Sequence, residues 1–303
     1  MKIIDVILSK SYTGFYFDDQ KAIKSGATND GFFYVGEPQI EGFETIRQKG
    51  EAISIQLLLE DGSVGIGDCA AVQYSGTGGR APLFLADTYI PFIEEKIVPL
   101  LIGVDIKEFK HLAEKFDKMK IDGKRLHTAI RYGLTQALLA AAAKAQRMTM
   151  AEVIRKEYGI DDDVYLPVNI FTQSGDDRYN NVDKMITKEV RVLPHALINN
   201  VETKLGKSGE ILFEYVNWLR GRILKYRKAE DYNPILHIDV YGTIGIAFEN
   251  NIPKIVEYLL KLEKAASPFK LRIEGPVDGG NKQDTIYYLQ ELRRNIDENN
   301  STL

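Results

Sequence analysis

The sequence predicts an α/β protein in two parts, an α+β domain over residues 1–160 and the first half of a (β/α) barrel over residues 164–303. In the first part, two strand-like segments meet at Asp61-Gly62, a pair of residues that indicates a β-hairpin turn. A long alanine-rich segment follows and indicates a helix. After the aspartates at 161–163, short apolar runs alternate with helical segments, which is typical of parallel β/α units.

The first part is predicted to contain three strands and several helices. Residues 2–9 alternate as a strand does, and residues 52–59 and 64–70 form the two arms of the hairpin. Residues 83–101 are interrupted by Pro91 and Pro99, so we expect one or two short helices there. The strongest predicted helix covers residues 127–146, and residues 150–158 continue it.

The second part contains four apolar runs that we interpret as strands. They cover residues 165–171, 190–197, 235–241 and 271–275. Between and after them, residues 209–226, 252–262 and 284–296 place their apolar side chains on one helical face. Strands that alternate with helices predict right-handed crossovers and a parallel sheet that curls toward a barrel.

This barrel is expected to be incomplete. A full (β/α)₈ barrel needs about 250 residues, and residues 164–303 supply roughly half of that. Four strands would leave open edges, and residues 299–303 offer no capping element. We therefore expect an interrupted chain that carries the first four strands of a barrel.

Composition excludes several classes of protein. The chain has 39 Lys and Arg against 43 Asp and Glu, so it lacks the excess of basic residues that is typical of nucleic-acid-binding proteins. Its longest alanine-rich run is far too short for a membrane span, so we expect no membrane role. Cys69 is the single cysteine, which excludes a disulfide framework and favours the cytoplasm, a reducing compartment.

Four polar residues follow the predicted barrel strands, where parallel α/β proteins place their functional groups: Gln173, His195, Asp239 and Glu274. Both carboxylates are expected to be buried at the ends of their strands. They lie 35 positions apart, about one β/α unit, so neighbouring strands would present them at one mouth. Such a pair suits Mg²⁺, which takes few protein ligands. Ion pairs with His237 and Arg272 in the barrel interior are the alternative, and spacing leaves both interpretations open.

For the other candidate residues, a structural role is the simpler interpretation. The glycine-rich stretch at 75–80 lacks the Lys and Ser or Thr of a phosphate loop, so it is a flexible loop and a candidate lid. Cys69 has no base nearby in sequence and is predicted to be a buried, inert thiol. His111 and His127 lie on helical sequence, where a structural role is expected.

Seven motifs, in order along the chain, make the sequence similar to a known family. They are GFYFDDQ at 14–20, GDCAAVQYSG at 67–76, RLHTAIRYG at 125–133, QSGDDRY at 173–179, LPHALINN at 193–200, HIDVYGTIG at 237–245 and LRIEGP at 271–276. Together they resemble the 3-methylaspartate ammonia-lyases of the enolase superfamily. The resemblance implies a capping domain followed by about half of an enolase-type TIM barrel, in a protein that forms a homodimer.

The resemblance also assigns roles to the site residues. Asp239 and Glu274 match the first two Mg²⁺ ligands of the family, His195 a histidine at the substrate, and Gln173 a residue that binds a substrate carboxylate. The third ligand and a lysine base come from the fifth and sixth barrel strands of the family. By the resemblance this chain ends before both, and Lys270 is wrongly placed to replace the base, so we expect impaired turnover.

The reaction that the resemblance implies is the reversible elimination of ammonia from 3-methylaspartate to give mesaconate, in glutamate degradation. Its difficult step is removal of a proton beside a carboxylate, and the enolase superfamily is a known example of Mg²⁺ combined with a lysine or histidine base for that step. In the family the lysine and the histidine lie on opposite faces of the substrate. His195 would therefore serve one stereoisomer.

Two alternatives remain open. One is another enolase-superfamily enzyme, a racemase or a cycloisomerase. Those enzymes usually carry a Lys-x-Lys pair at the end of the second strand, where this chain has Pro194-His195, and this difference argues against that alternative. The other alternative is a non-catalytic fragment, in which the capping domain acts as a binding or oligomerising module. A reading frame that continues past the codon for Leu303 would separate a truncated enzyme from that module.

Overall fold

A computed structural model describes residues 1–74, 80–160, 167–175 and 177–303. The chain divides into two compact units, Met1–Tyr165 and Leu166–Leu303. Three sequence predictions fall wholly or partly outside the described residues: the candidate lid at 75–80 except for Arg80, the acidic turn at 161–163, and the beginning of the first barrel strand at 165–166.

The first unit is built on an antiparallel sheet. The strands of this unit are β1 (Ile3–Asp18), β2 (Thr28–Asp30), β3 (Phe33–Val35), β4 (Arg47–Leu59), β5 (Val64–Ala70), β6 (Lys120–Ile121) and β7 (Lys124–Arg125). The pairs β2-β3 and β6-β7 form two small sheets of their own. Its helices are α1 (Gln20–Lys24), α2 (Ala86–Lys96), α3 (Val98–Leu101), α4 (Phe109–Lys118), α5 (Thr128–Gln146) and α6 (Met150–Tyr158). The sheet order is β1-β4-β5, and the predicted hairpin between β4 and β5 is confirmed.

Helix α5 packs against β5 at unusually close range, which explains its alanines. A Cβ added at Gly67 would overlap the carbonyl oxygen of Gly133 and lie 2.6 Å from the backbone nitrogen of Ala137. Cys69 is buried at this contact, and burial raises the pKa of its thiol to about 12. The prediction that this thiol is buried is therefore confirmed, and the raised pKa disfavours the thiolate, which is the reactive form.

The second unit is built on a parallel sheet of three strands in the order β10-β9-β8. These strands are β8 (Val192–Leu197), β9 (Ile235–Asp239) and β10 (Leu271–Glu274). The helices are α7 (Asn180–Thr187), α8 (Glu210–Tyr226), α9 (Thr243–Ala247), α10 (Ile252–Ala266) and α11 (Lys282–Glu298), with a π-helical turn at Val201–Leu205. The β/α alternation read from the sequence is confirmed.

The first of the four predicted barrel strands is wrong as a continuous strand. In its described part the chain touches β8 only through isolated bridges, Phe171 to Val192 and Gly175 to Ala196. Pro194 of β8 carries no N–H, so a regular ladder cannot run past it. The apolar run is also poorly covered, since Val168 is 93% exposed.

The sheet of the second unit presents different side chains on its two faces. Leu236 and Ile238 of β9, with Leu271 of β10, are buried in a core shared with α8, α10 and α11. His237 and Asp239 alternate with them and therefore lie on the opposite face. Among the residues that the structure describes, no helix combines the length and apolar character needed to cross a bilayer.

Candidate active site

Asp239 and Glu274 end two neighbouring parallel strands. In the β9–β10 ladder, Glu274 is the register partner of Asp239, and Arg272 is the partner of His237. Register partners in a parallel pair project to the same side of the sheet, and both acidic residues are the last of their strands. The two carboxylates therefore share one face and one end of the sheet.

Asp239 is a buried carboxylate. Its Oδ1 accepts a hydrogen bond of 3.1 Å from the backbone N–H of Tyr241. Burial raises the pKa of the Asp239 carboxyl above its usual range, and the nearby charge of Glu274 raises that pKa further, against the hydrogen bond from Tyr241. A bound cation would relieve both the desolvation and the repulsion.

Glu274 is more exposed than the sequence suggested. We expected two buried carboxylates, but the side chain of Glu274 is 51% exposed, because β10 is an edge strand of the sheet. Its Oε2 lies 3.0 Å from Nε2 of His237, which donates to it. Of the ion pairs considered as the alternative interpretation, the structure thus contains the one between Glu274 and His237.

His195 is placed by a β-bulge rather than by the end of β8. The register of β8 with β9 shifts between Pro194 and Ala196, so His195 is the extra residue, and its φ of 42° is left-handed. An extra residue re-aims the side chain that follows it. Here the bulge brings the imidazole of His195 beside that of His237, with ring centroids 4.9 Å apart.

The two histidines and Glu274 form one cluster. Nδ1 of His195 lies 3.7 Å from Oε2 of Glu274. Phe171 closes one side, with its ring centroid 5.0 Å from that of His195 and 5.2 Å from that of His237. Burial lowers the pKa of His237, and the neighbouring His195 lowers it further, which favours a neutral imidazole. Sequence reasoning treated His237 only as an alternative, although its position two residues before Asp239 was the available signal.

Gln173 does not join this cluster. Its side chain is exposed and lines a surface cavity with Thr172, Lys184 and Lys188. Across the described part of the chain, no hydrogen bond or ion pair joins the side chain of Gln173 to His195, Asp239 or Glu274. The structure thus brings three of the four sequence-predicted residues together.

The donor set at the strand ends fits a hard divalent cation. Asp239 and Glu274 offer carboxylate oxygens on one face, and Mg²⁺ prefers oxygen ligands and keeps several waters. Burial and the nearby charge of Glu274 both raise the pKa of Asp239, and a bound cation would offset both effects. These observations describe a strand-end site of the kind found in metal-assisted α/β barrel enzymes.

Comparison with solved structures defines the class of protein. The fold is similar to that of the L-Ala-D/L-Glu epimerase from Bacillus subtilis, with a TM-score of 0.57 at 13% identity over 96% of this chain and 65% of that one. It is also similar to the muconate lactonizing enzyme from Pseudomonas putida, with a TM-score of 0.55 at 13% identity over 96% of this chain and 63% of that one. The chain shares the fold of these two enzymes, an α+β domain followed by a partial barrel.

Closer relatives identify the family. Sequence models of the methylaspartate ammonia-lyase N-terminus and C-terminus match residues 1–159 and 164–303. The chain belongs to the methylaspartate ammonia-lyase family. It is 60% identical to the Clostridium tetanomorphum enzyme over 98% of this chain and 72% of that one. It is 54% identical to the Citrobacter amalonaticus enzyme over 98% and 71%.

Two solved structures of the family extend the comparison. The β-methylaspartase from Clostridium tetanomorphum, solved as a Mg complex, matches with a TM-score of 0.80 over 99% of this chain and 72% of that one. The Citrobacter amalonaticus enzyme, solved with (2S,3S)-3-methylaspartic acid, matches with a TM-score of 0.88 at 54% identity over 99% and 73%.

Proposed function

We propose that this protein is an ammonia-lyase that eliminates ammonia from 3-methylaspartate to give mesaconate, reversibly and with Mg²⁺. The observation that carries the proposal is the in-register pair Asp239 and Glu274 at neighbouring strand ends, with His195 beside it. Relatives with the same named activity at 54–60% identity support it.

Asp239 and Glu274 are the residues that would hold the metal. Asp239 is fixed by the hydrogen bond from Tyr241, and Glu274 is oriented by Nε2 of His237. When bound, Mg²⁺ supplies positive charge that offsets the negative charge developing on a substrate carboxylate as the adjacent proton leaves. Hydrogen-bond partners of a ligating carboxylate fix its orientation, so His237 is a positioning residue for Glu274.

His195 would take or return the proton at carbon 3 of the substrate. Its Nδ1 faces Glu274, so Nε2 is the nitrogen left for the substrate. The side chain of His195 is 14% exposed, so part of the ring remains accessible to a substrate. An imidazole suits this task because it can both accept and donate a proton.

Gln173 would bind a substrate carboxylate through its side-chain amide. Lys184 and Lys188 line the same cavity, so the local charge favours an anionic group. Gln173 is exposed and can reorient as a ligand approaches.

Exchange of the carbon-3 proton with solvent tests this function. The chain is incubated with Mg²⁺ and each diastereomer of 3-methylaspartate in D₂O, and proton NMR follows the loss of the carbon-3 signal. We expect exchange with one diastereomer only, and a loss of about 100-fold or more in His195→Asn. His111→Asn removes an exposed histidine of the first unit and should exchange as the wild type does.

Two results would overturn the proposal. Exchange that persists in His195→Asn would remove that histidine from the chemistry. Wild-type protein that neither exchanges the proton nor binds Mg²⁺ would favour the non-catalytic binding module.

We also propose that the protein acts in the cytoplasm, in glutamate degradation, and as a homodimer. The single cysteine is buried, which fits a reducing compartment but requires none. Exposed apolar side chains on β1, including Ile4, Ile7 and Phe15, support association with a second copy. Light scattering of the purified chain at twice the mass of 34.2 kDa would support the dimer, and a monomeric mass would exclude it.

A further inference from the structure

We propose that His195, His237 and Glu274 form a second metal site, one that takes a borderline transition cation of the Zn²⁺ class. One ligand atom of each residue lies within 4.8 Å of the ligand atoms of the other two. Asp239 is not a member of this group, so the site differs from the carboxylate pair proposed for Mg²⁺ and does not depend on it. Only Glu274 is shared.

The donor set determines the class of cation. Two imidazole nitrogens and one carboxylate oxygen are the protein ligands of many open Zn²⁺ sites, whereas Mg²⁺ prefers oxygen alone. Bonds of about 2.0–2.2 Å require neighbouring donor atoms roughly 3.3 Å apart. Oε2 of Glu274 lies 3.0 Å from Nε2 of His237 and 3.7 Å from Nδ1 of His195. Two of the three distances between donor atoms are therefore already near the required value.

The imidazole of His195 has a nitrogen atom that is available to bind a cation. Within the described residues, Nδ1 of His195 is buried without a hydrogen-bond partner, and it lies 3.7 Å from Oε2 of Glu274, beyond hydrogen-bond distance. A buried polar atom in that condition is uncommon in folded proteins. His237 is itself only 8% exposed, and its Nε2 already meets the same carboxylate.

The fold brings the three groups together and leaves one of them free to adjust. The bulge turns His195 toward His237. In the β9–β10 ladder, Glu274 is the register partner of Asp239, two residues after His237 on the same face. The half-exposed Glu274 can rotate to shorten the longest separation. Cations of the two classes would compete, because both require its carboxylate.

Cobalt is a probe for this site, since Co²⁺ bound by nitrogen and oxygen ligands absorbs visible light. The metal-free 303-residue chain is titrated with Co²⁺ alone, and the bound Co²⁺ is then displaced with Zn²⁺. We expect one cation per chain. The variants His195→Phe and His237→Phe keep an aromatic ring but lose a ligand, so their affinity should fall about 100-fold or more, beyond the 10–100-fold typical of lost supporting residues.

Three control variants separate this site from others. Asp239→Asn should still bind Co²⁺ while losing Mg²⁺ in a calorimetric titration, and Glu274→Gln should lose both cations. His111→Asn should bind Co²⁺ normally, because His111 lies outside the cluster. Circular dichroism melting of each variant identifies any that fail to fold, and those are replaced by His195→Gln or His237→Gln.

The outcomes are decisive in both directions. Binding that disappears in His237→Phe but survives in Asp239→Asn supports the site, whatever the fate of the Mg²⁺ proposal. Co²⁺ binding that is unchanged in both histidine variants, or that is lost in His111→Asn or Asp239→Asn, overturns it.

Discussion

At the scale of single residues, burial sets the protonation states that the chain can use. Asp239 and His237 are buried side by side on one strand, and burial acts on them in opposite directions, raising the pKa of the acid and lowering that of the imidazole. Both shifts favour the neutral form. A site of this kind gains more from a bound cation than an exposed pair of carboxylates would.

His127 gives a residue-scale prediction outside the site. Its Nδ1 accepts from the N–H of Ala129 at the start of α5, and its Nε2 donates to the carbonyl of Pro82. Burial lowers the pKa of His127 below its usual 6.5. The unfolded chain therefore binds the proton first, so stability is lost as the pH falls below 6.5 toward the lower folded pKa.

Replacing His127 with Asn should reduce that loss, because Asn keeps the cap but cannot be protonated. Urea unfolding at pH 7.5 and pH 5.5 measures the difference in free energy of unfolding between the two pH values. We expect a smaller difference in His127→Asn than in the wild type. An equal difference in both proteins would show that His127 is not buried as a neutral group.

At the scale of elements, the contact of α5 with β5 depends on glycine. Gly67→Ala places a methyl group against the backbone of Gly133 and Ala137, so helix and strand must separate. We expect a loss of about 3 kcal/mol in the free energy of unfolding, at the upper end of the usual cost of overpacking. Gly14→Ala on β1 is the control, because an added Cβ there meets nothing within 4 Å.

Urea denaturation followed by circular dichroism compares the two variants. Gly14→Ala should stay within about 0.5 kcal/mol of the wild type, as surface substitutions usually do. Similar stability of both variants would mean that α5 can move away from β5 at little cost.

The same element scale shows how far sequence reasoning reached. The bounds of β5 and α6 were predictable because Asp61-Gly62 and the residues around Tyr158 and Gly159 carry local turn and capping signals. The first barrel strand was not, since an apolar run alone does not reveal that Pro194 interrupts its partner. The bulge at His195 has no periodic signal, so the pairing of His195 with His237 required the structure.

At the scale of the whole molecule, each of the two units has a large hydrophobic core of its own. One lies between the antiparallel sheet and α5 in Met1–Tyr165, and the other between the parallel sheet and its helices in Leu166–Leu303. In the sequence, the period of the apolar residues changes after residue 160. All residues of the proposed metal and base sites belong to the second unit.

The central claim is that Asp239 and Glu274 hold the metal that 3-methylaspartate requires for binding. Isothermal titration of 3-methylaspartate into the chain tests it directly, with Mg²⁺ and with a chelator, in the wild type, in Asp239→Asn and in the exposed control Asp231→Asn. We predict one site per chain with Mg²⁺, and affinity about 100-fold weaker or worse in the chelator and in Asp239→Asn, since a metal ligand is lost. Asp231→Asn should bind as the wild type does. Equal affinity with and without Mg²⁺, or unchanged affinity in Asp239→Asn, would contradict the account.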